Sequence, residues 1–217
     1  MPSVSESSDE QLIQWISGGR PELFELLMRR HNQRVFRVAC AVLGSDGEAE
    51  DVAQQSFLNA YAHLRQFKGR ATFATWLTRI ALREALVRRQ QQVRSRHESP
   101  DGARDVKSPG RTPEEDASAR EMVALLRTAF DSLPERYRVV FMLRDVQGLS
   151  TAETADCLRI SEQTVKVQLH RARTKLRQEI SAGAGATWAD VFPFAGQHCD
   201  RLTARVLKKL WHDADPC

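Results

Sequence analysis

The sequence predicts an all-α chain of two small helical domains joined by a flexible linker, the second a helix-turn-helix, with a C-terminal extension. Three observations lead there. Apolar residues recur at helical spacing in two separate blocks, and no stretch alternates with a period of two. Between the blocks, residues 96–116 hold three prolines, two glycines and many charges with no aliphatic periodicity. Near the end of the second block, a short capped segment and a turn precede a long amphipathic helix. The expected divisions are therefore 1–95, 96–116, 117–180 and 181–217.

Each element has its own warrant. Leu12, Ile13, Trp15 and Ile16 set a short first helix. Pro21 opens a longer one, because a helix tolerates proline in its first turn. Leu23, Leu27, Val35, Val38 and Val42 give it one stripe, and Gly44 stops it. Ser45 and Glu48 have capping-box spacing, and Ala49, Val52, Phe57, Ala60 and Leu64 form the inward face that follows. A break at Phe67-Lys68-Gly69-Arg70 separates this helix from a third, which begins near Thr72 and turns Phe73, Trp76, Leu77 and Ile80 inward.

In the second block, Met122, Leu125, Leu126 and Ala129 mark one helix. Ser132 with Glu135 and Ser150 with Glu153 repeat the capping-box spacing, and Ser161 can cap a last helix running to Ile180. The extension opens on the small-residue run SAGAGA, then Trp188, Val191, Phe192 and Phe194, then a helix holding Leu202, Val206 and Leu210. These apolar residues need a surface. The second domain, nearest along the chain, is the one expected to supply it.

Composition excludes several classes. Of 217 residues, 41% are hydrophobic, enough for real cores, and the net charge of +4 is too mild to matter except by its placement. Met1 to Glu10 is polar and acidic, and no apolar run approaches the roughly 18 residues of a membrane span, so the chain is expected to be soluble and cytoplasmic, without membrane insertion. Cys40, Cys157, Cys199 and Cys217 lie far apart with no CxxC pair. That spacing argues against a disulfide framework or structural zinc, and Cys40 and Cys157 read as small core residues. His198 beside Cys199 cannot supply the four ligands a structural zinc takes. With no glycine-rich phosphate loop, paired catalytic carboxylates or Ser/Cys–His arrangement, no catalytic residue and no cofactor is expected.

Charge placement is more informative. Val165, Leu169, Ala172 and Leu176 make one apolar stripe on the last helix of the second domain. Its other faces carry Gln163, Lys166, Val167, His170, Arg171 and Arg173, and the helix has a net charge of +3. A helix buried on one side and basic on the other suits the DNA major groove, with its early turns at base edges and its later arginines at phosphates. In the first domain, seven arginines from Arg70 to Arg96 face one acid, Glu84. Phe67, Phe73 and Trp76 lie among or beside them, the combination that unstacked nucleic acid requires. Spacing three puts Phe73 and Trp76 on a core face, which leaves Phe67, in the break, as the exposed candidate.

Two stretches carry a family resemblance. DVAQQSF (51–57) followed by TFATWLTRIALREAL (72–86) resembles the second conserved region of bacterial sigma factors. LPERYRVVFMLRDVQGLSTAETADCLRISEQTVKVQLHRARTKL (133–176) resembles their fourth. With only a linker between them, the match is to the extracytoplasmic-function group of the sigma-70 family. The resemblance implies a factor that binds core RNA polymerase and directs it to promoter DNA, with room for an anti-sigma partner. It implies polymerase docking through Asp51, Gln54, Gln55 and Phe57. It also implies capture of a minus-ten base by the loop of Phe67, Lys68 and Arg70, with Arg79 and Arg83 along the following helix. Reading of the minus-thirty-five element would fall to Gln163, Lys166, Val167, His170, Arg171 and Arg173. The sequence departs from the family in two places: Leu82-Arg83 stands where Arg-Asn is frequent, and Val167-Gln168 where Ser-Arg is.

A competing reading is a helix-turn-helix regulator that binds duplex DNA without being a polymerase subunit. It accounts for the second domain but leaves DVAQQSF and the basic, aromatic first domain without a role.

Overall fold

The structure is a computed structural model that describes residues 4–98, 117–179 and 197–212. The acids of residues 101–116, the SAGAGA run, Trp188, Val191, Phe192 and Phe194 lie outside the described residues.

The first domain is built on α2 (Phe24–Leu43), with α1 (Asp9–Ser17), α3 (Asp46–Ala62) and α4 (Phe73–Glu98) packed against it or its neighbours. A 3₁₀ turn at Pro21–Leu23 leads into α2. Gly44 ends α2 in the left-handed region (φ 67°), with its N–H on the Cys40 carbonyl. Phe24, Phe57, Phe73 and Leu77 are fully buried between α2, α3 and α4. On the N-terminal side, Asp9 holds both Arg30 (3.0 Å) and His31 (2.7 Å), which ties α1 to α2. Helix α4 continues three residues beyond the boundary expected at 95.

Phe57 corrects one expectation. Its ring is completely buried and meets Phe24 edge-on, with centroids 6.4 Å apart, so it is core and not a docking contact.

The second domain comprises α5 (Ala117–Ser132), α6 (Glu135–Phe141), α7 (Thr151–Leu158) and α8 (Glu162–Glu179). Helix α6 runs on as a π-helical turn, Met142–Val146, before Gly148 (φ 72°) reverses the chain. The Ser150–Glu153 capping box forms in both directions at 2.8 and 3.1 Å. Ser161 caps α8 by accepting the Thr164 N–H at 3.1 Å.

The other two expected boxes do not form. Ser45 makes no side-chain cap bond, and Glu48 is forked by Arg88 of α4. Ser132 donates back to the Ala129 carbonyl, and Glu135 pairs with Arg89 of α4 at 3.3 Å. In both cases an arginine offers the glutamate a charge-assisted bond, roughly twice as strong as the neutral one a cap would provide.

The two domains pack on each other. Arg138 of α6 is 5% exposed, and its Nε donates to the carbonyl of Ala41 near the end of α2. Around it run Arg127–Asp46, Arg34 to the Gln147 carbonyl, Thr75–Glu153, Arg79–Asp156 and Arg89–Glu135. The last helix, α9 (Gln197–His212), corrects the expectation for the extension, because it lies on α2 and α3 of the first domain. The reason is the partner set there: Leu202, Thr203 and Val206 are buried, Asp200 meets Arg29, and Asn32 donates to Cys199 and Thr203.

The status of Phe57 is directly testable. Phe57→Ala is expected to cost about 3–5 kcal/mol of stability, as for other buried phenylalanines. Urea unfolding followed by circular dichroism checks this, and a loss under 1 kcal/mol would show that Phe57 is not core.

Candidate functional site

The α8 surface follows from its stripe. Val165, Leu169, Ala172 and Leu176 are buried against the domain, which turns Gln163, Lys166, Val167, His170, Arg171 and Arg173 to the exposed side. Val167, 39% exposed, is an apolar point on an otherwise polar face.

Sequence reasoning missed the groove beside this face. A depression of about 450 Å³ is lined by Arg136 and Tyr137 of α6 and by Gln163, Thr164, Val167, Gln168 and Arg171 of α8. The Arg136 guanidinium lies over the Tyr137 ring at 4.9 Å, and Arg171 donates to the Tyr137 hydroxyl at 3.3 Å. Hydrogen bonds from Arg171 and Arg136 hold the Tyr137 hydroxyl below its ordinary pKa. One signal for these two residues was present, their place in the first turn of the helix that precedes a helix-turn-helix reader.

Arg173 departs from expectation. Its guanidinium forks onto Asp145 at 2.7 and 2.8 Å, so the side chain expected at a phosphate is held by an internal carboxylate.

On α3, Asp51 and Gln55 are exposed, Gln54 is half-buried, and Gln55 donates to Asn59 at 3.0 Å. The polar strip expected for docking is therefore present, without Phe57.

At the break between α3 and α4, Lys68 and Arg70 are exposed and Gly69 adopts φ 67°. Phe67 is half-buried instead of free. It meets Phe73 and Trp76 edge-on at 5.8 and 5.6 Å, and Phe73 is the buried base of the trio. Its ring is positioned by this packing while part of it remains accessible.

Along α4 the arginines divide. Arg83 is exposed, whereas Arg79 is held by Asp156 at 2.6 Å, Arg88 by Glu48 and Arg89 by Glu135. Leu82, where the family often has arginine, is buried and takes no part in the surface. Cys40 is fully buried, and burial raises its thiol pKa well above the usual value, as expected of a core cysteine. Among the described residues, no group of three or more His, Cys, Asp or Glu side chains could hold a metal ion, and no helix is long and apolar enough to cross a membrane.

Comparison with known proteins agrees with this layout. Residues 27–95 match the model of Sigma-70 region 2, and residues 124–176 match that of Sigma-70, region 4. The ECF RNA polymerase sigma-E factor of Salmonella typhimurium is 30% identical over 181 residues, covering 80% of this chain and 94% of its own. The RNA polymerase sigma-H factor of Pseudomonas aeruginosa is 29% identical over 182 residues, covering 78% and 92%. Among solved structures, the sigma factor RpoE of Bartonella quintana, in complex with the anti-sigma factor NepR, superposes with a TM-score of 0.59 at 19% identity, covering 73% of this chain and 95% of its own. CnrH, in complex with the cytosolic domain of CnrY, gives 0.58 at 23%, covering 82% and 100%. At these identities the two structures speak for the fold.

The groove chemistry predicts a titration. The chain has two tyrosines, Tyr61 and Tyr137. Burial raises the pKa of Tyr61, only partly offset by Arg65, while the arginines lower that of Tyr137. Phenolate absorbance should therefore rise in two steps, Tyr137 first. Arg171→Ala should move the first step to higher pH and leave the second in place. An unshifted first step would mean that Arg171 does not hold the hydroxyl.

Proposed function

The chain belongs to the extracytoplasmic-function sigma factors, which direct transcription initiation by RNA polymerase, and from that membership we propose how its surfaces divide the work. Asp51, Gln54 and Gln55 of α3 dock on core polymerase. The loop of Phe67, Lys68 and Arg70 receives an unstacked base of the minus-ten element, with Arg83 at the adjacent phosphates. Gln163, Lys166, Val167 and His170 read base edges of the minus-thirty-five element, and Arg171 meets the backbone.

The observation that carries this reading is α8, with a buried stripe and an exposed basic face whose N-terminus is capped. Such a face fits a groove about 12 Å wide, and the side chains of its first two turns are those within reach of bases. Val167 supplies an apolar group suited to a thymine methyl. The half-buried Phe67 offers a pre-oriented stacking surface, and glycine at φ 67° lets the loop turn tightly beside it.

RpoE and CnrH were each solved with a partner bound, the first an anti-sigma factor and the second the cytosolic domain of CnrY. A partner of the anti-sigma kind is proposed for this chain on that ground. A regulator acting without polymerase would not need the polar strip on α3.

Run-off transcription with purified core enzyme tests the reading. The chain is expected to bind core polymerase in a pull-down and to give transcripts only when both are present. Specific promoter binding by the chain alone would favour the regulator instead. Within the polymerase complex, Lys166→Ala is expected to lose about 1–3 kcal/mol of discrimination at one base position. Selection on randomised upstream elements reads this out, and an unchanged preferred sequence would remove Lys166 from the reading set.

A further inference from the structure

Helix α9 lies along α3 in a revealing register. Arg201, near its start, approaches Glu50 at 3.9 Å, and Trp211, near its end, meets Tyr61 edge-on at 5.5 Å. Glu50 and Tyr61 are eleven residues apart, three helical turns, and so share one face of α3. Gln54 lies on that same row, four residues after Glu50, and Leu58 flanks it; both are half-buried, while Asp51 and Gln55, one step around the helix, are exposed. The seat of α9 therefore overlaps the proposed docking strip at Gln54 and borders it at Asp51. Arg201 also places a positive charge beside the acidic start of α3.

The seat is built to be reversible. Among the described residues its buried anchors are Leu202, Thr203 and Val206, with Asn32 bonded to Cys199 and Thr203, while Leu207 and Leu210 are half-buried. Its ion pairs, Arg29–Asp200 and Arg201–Glu50, are partly exposed to solvent and so contribute modestly. Arg201, Arg205, Lys208 and Lys209 form an exposed basic edge along the helix. An element with this little buried apolar contact opens locally at low free-energy cost.

We propose that α9 is a cover acting in cis: seated between α2 and α3, it occludes the Gln54 side of the polymerase docking strip and must leave before core enzyme binds fully. The proposal rests on the docking reading of Asp51, Gln54 and Gln55. It makes the tail a competitor of polymerase for one face of α3, so the apparent affinity for core enzyme is set partly by how often the cover is closed. A cover closed nine-tenths of the time lowers the apparent affinity about tenfold.

The test is a titration of labelled full-length chain with core RNA polymerase, comparing wild type, Val206→Asp, Asp51→Ala and the double variant. Val206→Asp is expected to bind about tenfold more tightly, because a carboxylate at that fully buried position unseats α9. A synthetic peptide of residues 197–212 added to the Val206→Asp chain should weaken binding again, which a merely stabilising tail would not do. Asp51→Ala should weaken binding in both backgrounds.

If Asp51→Ala weakens binding but Val206→Asp, helical by circular dichroism, binds no better than wild type, the cover is overturned and the docking strip stands. If Asp51→Ala changes nothing, the docking reading fails and the cover falls with it. Should Val206→Asp fail to fold, Trp211→Ala replaces it, since that ring is 38% exposed and its loss leaves the core intact. A smaller gain in affinity is then expected, and no gain overturns the proposal.

Discussion

The structure depends on covering α2. Its last six residues, Val38–Leu43, are an unbroken apolar run, and a helix apolar all round must be enclosed on every side. Helices α3 and α4 enclose two sides and α6 of the second domain a third, with Arg138 inserted at the C-terminal end. That end leaves orphan carbonyls and partial negative charge, so a guanidinium there satisfies both. Burying an arginine is costly without partners, and Arg138 has the carbonyls of Ala41 and Asp131. In the first half of α2, Arg29 and Asn32 make one side polar, and there α9 supplies the matching groups.

Local features were legible in the sequence, while features decided by a distant partner were not. The stripe on α8, the Ser150–Glu153 box and the Ser161 cap rest on residues within one turn or on one helix face, and all three formed. The boxes at Ser45 and Ser132 had the same local pattern but lost their glutamates to Arg88 and Arg89, which lie forty or more residues away. For Phe57 two readings conflict, inward from its helical spacing and docking from the resemblance, and the spacing holds: its ring is core, because a motif records which residues recur together without saying which way each points. The extension read correctly as an amphipathic helix. Its surface did not, because sequence proximity favoured the second domain while complementary side chains lay on α2 and α3.

The proposed nucleic-acid surface shows the same division. Lys166, His170, Arg83, Lys68 and Arg70 stand exposed, as their positions in the pattern imply. Arg79 and Arg173 do not stand free, because Asp156 and Asp145 hold them. The Asp145 carboxylate stands to Arg173 as a phosphate would, forked and with one negative charge, while Asp156 meets Arg79 through a single contact. The pairs are partly exposed, so salt weakens them as it weakens phosphate contacts. Exchanging one partner for the other then trades like for like, and the energetic difference is small beside either interaction alone.

That equivalence bears on how the packed domains can serve a promoter. The minus-ten and minus-thirty-five elements lie apart along a duplex that rises about 3.4 Å per step. In the packed arrangement α7 lies against α4 through Thr75–Glu153 and Arg79–Asp156, so the loop at Phe67 and the face of α8 are within one small globule. If the surfaces divide the work as proposed, holding both elements at once requires the domains to part. The 18 residues between Glu98 and Ala117 can span up to about 60 Å when extended, which with the width of the domains is enough. Parting breaks the partly exposed pairs Arg79–Asp156 and Arg89–Glu135, which are individually weak, and the more buried Arg127–Asp46, after which Arg127 still keeps Asp131. It also uncovers the side of α2 that α6 encloses, and that apolar surface is the larger cost. Separating the domains therefore needs a ligand that binds the parted form better than the packed one.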